Sequence, residues 1–178
     1  IQVDDTTRMG ALKLSYDGQY ADNEYAEMQV PPITYLREFM DMAHEYERRE
    51  MNGGTMREEW LLNLYRQGSS LGGARPKANV VDTEGNLWIA KIPSVNDDYD
   101  VALWEYWALT LASMAGINIP HIKLLPLEGT RYHTLLSKRF DRQGDSRIHF
   151  ASAMTLAGLH DGADAASGNG YLDIVDTI

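Results

Sequence analysis

The stretch that most constrains this chain is Gln67-Gly68-Ser69-Ser70-Leu71-Gly72-Gly73-Ala74-Arg75-Pro76-Lys77. It separates a helical segment from two β-like runs, Ala78–Val81 and Leu87–Lys91. Glycines at 68, 72 and 73 let the backbone adopt positive φ and approach a ligand closely. Successive N–H groups in such a loop can line an anion-binding concavity. Ser69, Ser70, Arg75 and Lys77 add hydroxyls and positive charge beside them. The loop matches neither G-x-G-x-x-G nor a Walker A motif, since Ala-Arg follows Gly73. By composition it reads either as a connector or as a phosphate cradle.

The surroundings separate into two regions, 1–66 and 67–178. In the first, Gly10–Tyr16 alternates like a strand and Asp17-Gly18 signals a hairpin turn. Pro31-Pro32 opens a helix with Ile33, Leu36, Met40, Ala43 and Tyr46 on its apolar face. Glu45, Glu47, Arg48 and Arg49 read as its solvated face. Asn52-Gly53-Gly54 ends that helix, and Thr55-Met-Arg-Glu58 is a capping box for a short helix through Trp60, Leu61, Leu64 and Tyr65.

The second region alternates strands and helices. Leu87–Lys91 is nearly all apolar, as expected of a strand buried on both faces. Asp97-Asp98 places negative charge before a helix from Tyr99 to Met114 that Gly116 stops. Val101, Trp104, Ala108, Leu111 and Ala115 are its expected core stripe. Glu105 borders that stripe, where an unpaired carboxylate is costly, so it calls for a cation. Lys91, at the end of the preceding strand, is the candidate. Strands Ile122–Leu127 and Tyr132–Ser137 follow, then Lys138-Arg139-Phe140-Asp141-Arg142 and a helix capped by Ser152. Trp60, Trp88, Trp104 and Trp107 read as core anchors.

Composition narrows the function classes. The 178 residues carry a formal charge of −10, which argues against a broad nucleic-acid surface. There is no cysteine, so neither disulfides nor thiolate metal sites arise. No apolar run reaches the roughly 18 residues of a membrane span, and a cytoplasmic protein is expected. His44, His121, His133, His149 and His160 have no metal-ligand spacing, and no nucleophile elbow is present.

A glycine loop, a strand lysine, a helix carboxylate and two further strands follow the order of a protein-kinase N-lobe. The segments Ser69–Lys77, Trp88-Ile-Ala-Lys91, Trp104-Glu105 and Lys138-Arg-Phe-Asp-Arg142 together resemble the HipA-type toxin serine/threonine kinases. Gly10-Ala-Leu12 with Tyr16-Asp-Gly18 is similar to that family's N-terminal subdomain. The resemblance implies an α+β chain. Residues 1–66 would form the N-terminal subdomain, and residues 67–178 a kinase-like N-lobe with the start of the C-terminal region. It implies ATP with Mg²⁺ as cofactors. By it Ser70, Gly72, Gly73 and Lys77 belong to the phosphate loop, Lys91 neutralises phosphates, Glu105 orients Lys91, and the Lys138 and Phe140 backbone meets the adenine.

Ser70, beside Ser69, falls at the family's autophosphorylated serine. The implied partners are a protein substrate, in some members an aminoacyl-tRNA synthetase, and a small DNA-binding antitoxin. No aspartate in 141–178 lies in an H-x-D-x-x-x-x-N or D-F-G context, and Asp173 and Asp176 read as helix-terminal charge. Both ends of the sequence look cut. The C-lobe, with the catalytic aspartate and the Mg²⁺ ligands, is therefore expected outside this chain. The alternative is a non-catalytic nucleotide- or antitoxin-binding module.

Overall fold

A computed structural model describes residues 7–13, 15–20, 30–53, 71, 75–144, 146–160 and 162–177. The architecture is mixed α+β. A short hairpin, β1 (Ser15–Tyr16) with β2 (Gln19–Tyr20), turns at Asp17-Gly18 as expected. Both turn residues have positive φ (50° and 76°), the type I′ geometry that matches strand twist. Among the described residues of this region strand structure is confined to this tip and does not begin at Gly10.

Helix α1 (Leu36–Met51) is entered through a 3₁₀ turn, Ile33–Tyr35. It buries Leu36, Phe39, Met40 and Ala43, whereas Tyr46 lies outward and donates to Glu50. The Asn52 backbone and side-chain amides close the helix on the Arg48 carbonyl, and Gly53 turns the chain at φ 68°. The capping box at Thr55, the short helix through Tyr65 and Trp60 lie outside the described residues.

The central sheet is four-stranded in the order β3-β4-β6-β5 and antiparallel throughout. Its strands are β3 (Lys77–Val81), β4 (Leu87–Lys91), β5 (Ile122–Pro126) and β6 (His133–Lys138). Trp88 and Ala90 of β4 are fully buried while Leu87, Ile89 and Lys91 are half-buried. The strand is thus not equally dry on both faces, contrary to its uniform apolar composition. The dry face (Ala78, Val80, Trp88, Ala90, Leu136) packs against α1 in one cluster with Ile92. That cluster draws on residues from both sides of Gln67. The Val81 amide donates to the Pro31 carbonyl at 3.0 Å, so the chain entering α1 covers the exposed edge of β3.

Helix α2 (Val101–Met114) lies along β5 and β6. The Gly116 amide bonds to the Ser113 carbonyl and the Ile117 amide to the Ala112 carbonyl, a Schellman stop with Gly116 at φ 83°. The expected core stripe is reversed here. Trp104 (66%), Trp107 (53%) and Leu111 (60%) are exposed, and Ala102 is the buried residue of the helix. The helix is apolar nearly all round, so its spacing alone did not select the inward face.

After β6 come a two-stranded ribbon, β7 (Arg142–Gln143) with β8 (Ser146–Arg147), and two short helices, α3 (Ala153–Leu156) and α4 (Tyr171–Val175). Ser152 caps α3 by accepting from the Thr155 amide at 3.1 Å. The Asp173 carboxylate accepts from the Gly170 amide at 2.6 Å, the helix-terminal role read for it, while Asp176 stands at the other end of α4. Among the described residues no helix is long and apolar enough to cross a membrane.

Candidate functional site

The β3–β4 hairpin places Lys77 directly opposite Lys91, on the sheet face away from α1. Its register is pinned at the other end by Asp82, which closes the turn over Gly85. Asp82 accepts from the Glu84 and Asn86 amides, the Asn86 side chain and Trp88 Nε1, the last at 2.9 Å. Burial pushes this carboxyl up, but the bonds from Trp88, Asn86 and Glu84 prevail and hold it at about 2. Like charges facing one another across strands cost stability. Burial first, and then Lys91 and Arg75, hold the Lys77 ammonium below its ordinary value.

Lys91 Nζ is hydrogen-bonded and ion-paired to Glu105 Oε1 of α2, as its spacing anticipated. The loop between them is anchored rather than slack. His44 Nε2 bonds to the Pro93 carbonyl at 2.7 Å, and the Glu47 carboxylate accepts from Ser94 Oγ (2.7 Å) and the Val95 amide (2.9 Å). Glu47 therefore is not part of a solvated face. It is a brace between α1 and the loop.

Asp97 also departs from the helix-charge role read for it. It pairs with both terminal nitrogens of Arg75 (2.8 and 2.5 Å) and accepts from the Ser94 amide. The Asp97 hydrogen bonds raise the Arg75 guanidinium pKa further. The true cap of α2 is Asp100, which accepts from the Leu103 amide at 3.0 Å and holds His133 Nδ1 at 2.5 Å. One carboxylate thus starts the helix and ties its first turn to β6. Glu105 follows little more than one turn later.

The second half of the site is the end of β6. Lys138 pairs with Trp88, and Lys91 pairs with Leu135 three positions earlier, about 10 Å along the strand. The Lys138 amide donates to the His121 carbonyl at 2.8 Å. Phe140 is 54% exposed, yet its neighbours Arg139 and Asp141 are fully buried. Arg139 Nε and Nη2 grip the Asp141 carboxylate at 2.8 and 2.6 Å, while Nη1 donates to the Thr7 carbonyl and to Asn79 Oδ1. Arg142 and Arg147 converge with Arg139 on the Arg8 carbonyl. Desolvation pushes the Asp141 carboxyl up, but Arg139, the Gly10 amide and Arg142 outweigh it and hold it low.

The sequence reading is thus joined at Lys77, Lys91 and Glu105 on one sheet face, with Lys138 at the end of β6 and Phe140 in the turn just beyond it. Ser69, Ser70, Gly72 and Gly73 lie outside the described residues. His133 as a partner of the α2 cap and Arg139–Asp141 as a clamp on residues 7–10 were not anticipated, because their partners lie 33 or more positions away. The alternating charges of Lys138–Arg142 were the one signal available for the clamp.

Compared with known proteins, residues 69–178 match the model of the family described as the HipA-like C-terminal domain. No curated protein and no solved structure matches the chain.

Proposed function

The chain belongs to the HipA-like C-terminal domain family, and from that premise we propose that it grips ATP for a HipA-type serine/threonine kinase. The central sheet with α2 then serves as a kinase-like N-lobe. The observation that carries this reading is the Lys91–Glu105 pair with Lys77 directly across the strand. Two facing lysines repel one another, and a polyphosphate between them turns that repulsion into attraction. Glu105 holds Lys91 in place, while Lys77 supplies a second charge at a fixed cross-strand position.

In the same reading Ser70, Gly72 and Gly73 complete the phosphate loop, and Ser70 is the autophosphorylated residue. The Lys138 amide is committed to His121, so adenine is met by the Lys138 carbonyl and the Phe140 backbone, with the Phe140 ring against the base. The side chains present fit phosphates and a planar base. Among the described residues no group of three or more His, Asp and Glu is placed to hold a metal ion. No step is assigned through that ion. A protein substrate and a small DNA-binding antitoxin remain the expected partners.

Calorimetry with ATP tests the reading. Lys91→Met is expected to weaken binding at least about ten-fold, the loss of a charge-assisted contact worth about 1.5–3 kcal/mol. The unfolding midpoint should move little. Unchanged ATP affinity in that variant would overturn the assignment.

A further inference from the structure

Phe140 is an exposed ring on a backbone that cannot drift. Asp141 accepts from the Gly10 amide at 2.7 Å, and Arg139 holds the Thr7 and Arg8 carbonyls, so both neighbours of Phe140 are fixed to the tract Thr7–Gly10. The ring has a second support. Phe150 meets it edge to face, with centroids 4.9 Å apart and planes at 72°.

Near Phe150 stands Gly10, at φ 73°, where an added Cβ would lie 3.5 Å from Phe150 Cε1. The Gly10 carbonyl accepts from Arg147 Nε at 2.9 Å, and the Gly10 amide closes the circuit to Asp141. Phe140 thus touches Phe150, and the neighbouring Asp141 is bonded to Gly10, where only a side chain larger than hydrogen would reach Phe150. A rotation of the Phe140 ring would break the edge contact with Phe150.

Resting on the nucleotide reading above, we infer that Phe150 is a positioning residue for the base, acting on a Phe140 whose backbone the Thr7–Gly10 tract holds. The ligand part concerned is the planar base alone. Phe150 fixes the orientation of the ring on which the base stacks, and the sugar and phosphates gain nothing from it. Edge-to-face aromatic contacts carry modest energy, so the expected effect is a partial loss of affinity confined to ligands that contain a base.

The test is calorimetry on the whole protein with two probes, ATP and inorganic tripolyphosphate. Phe150→Leu should weaken ATP binding roughly five-fold and leave tripolyphosphate unchanged. Phe150→Tyr, which keeps the ring, should restore ATP affinity. In a Phe140→Leu background the Phe150→Leu change should add nothing, since coupled residues are not additive. Unaltered ATP affinity in Phe150→Leu overturns the inference while leaving the nucleotide reading intact. Equal losses for the two probes overturn it too, because a general loosening of the fold then explains them. An unmodified protein that binds neither probe defeats the nucleotide reading itself, and this inference with it.

Discussion

Two clusters of charge stand at the two ends of the paired strands β4 and β6, and they are built differently. Around Asp141, positive and negative groups are buried, mutually bonded and tied to backbone carbonyls of residues 7–10. Around Lys91, the ion pair is a third or more exposed, and a second lysine faces it across the strand. Burial with full hydrogen bonding fixes one geometry and leaves nothing to offer a ligand. Partial exposure with facing like charges does the opposite. It costs some stability and leaves a field that an anion relieves. The first cluster holds the chain together, and the second is the candidate for use.

The largest expected effect breaks the first cluster. Asp141→Ala leaves Arg139 and Arg142 beside one another without their shared carboxylate, and Arg139 is fully buried. Removing one partner of such a group costs about 3–5 kcal/mol. Lys91→Met, removing half of an exposed pair, should cost no more than about 1 kcal/mol. Urea unfolding of both variants measures the contrast, and equal costs would erase the distinction between the clusters.

A smaller effect concerns acid. The Asp82 carboxyl is depressed from its ordinary 3.8 to about 2, and Asp97, Asp100 and Asp141 are depressed in the same direction. A depressed carboxyl contributes stability that is present above its unfolded value and is lost as pH falls through its folded value. For Asp82 that window lies between pH 3.8 and about 2. Unfolding free energies measured across it should decline, and more gently in Asp82→Asn. Parallel declines in the two proteins would remove Asp82 from the account.

The smallest effect is expected on the outer face of α2. Trp104→Ser should alter stability by only about 0.5 kcal/mol, as for other exposed positions away from special features. A loss above about 2 kcal/mol would mean that this apolar face is covered in solution, and the contrast between buried and exposed parts would need redrawing.

Much of the fold was legible because local signals are strong where backbone geometry is special. Asp17-Gly18, the Gly116 stop and the Ser152 cap each follow from residues whose conformational preferences act over a few positions. The Lys91–Glu105 pair was legible for another reason: a carboxylate among apolar neighbours demands a cation, and the strand before it offered one.

What the sequence by itself determined, then, is the order of elements, their turns and stops, and the demand that Glu105 find a partner. Only the tertiary structure decided which face of α2 turns inward, because an apolar stripe that runs nearly all round a helix names no side. Only it decided that Glu47 braces a loop, that Asp100 and not Asp97 caps the helix, and that Arg139 and Asp141 seize residues 7–10. Those choices rest on groups brought together from distant positions, where desolvation decides which charges must meet, and no local preference records it.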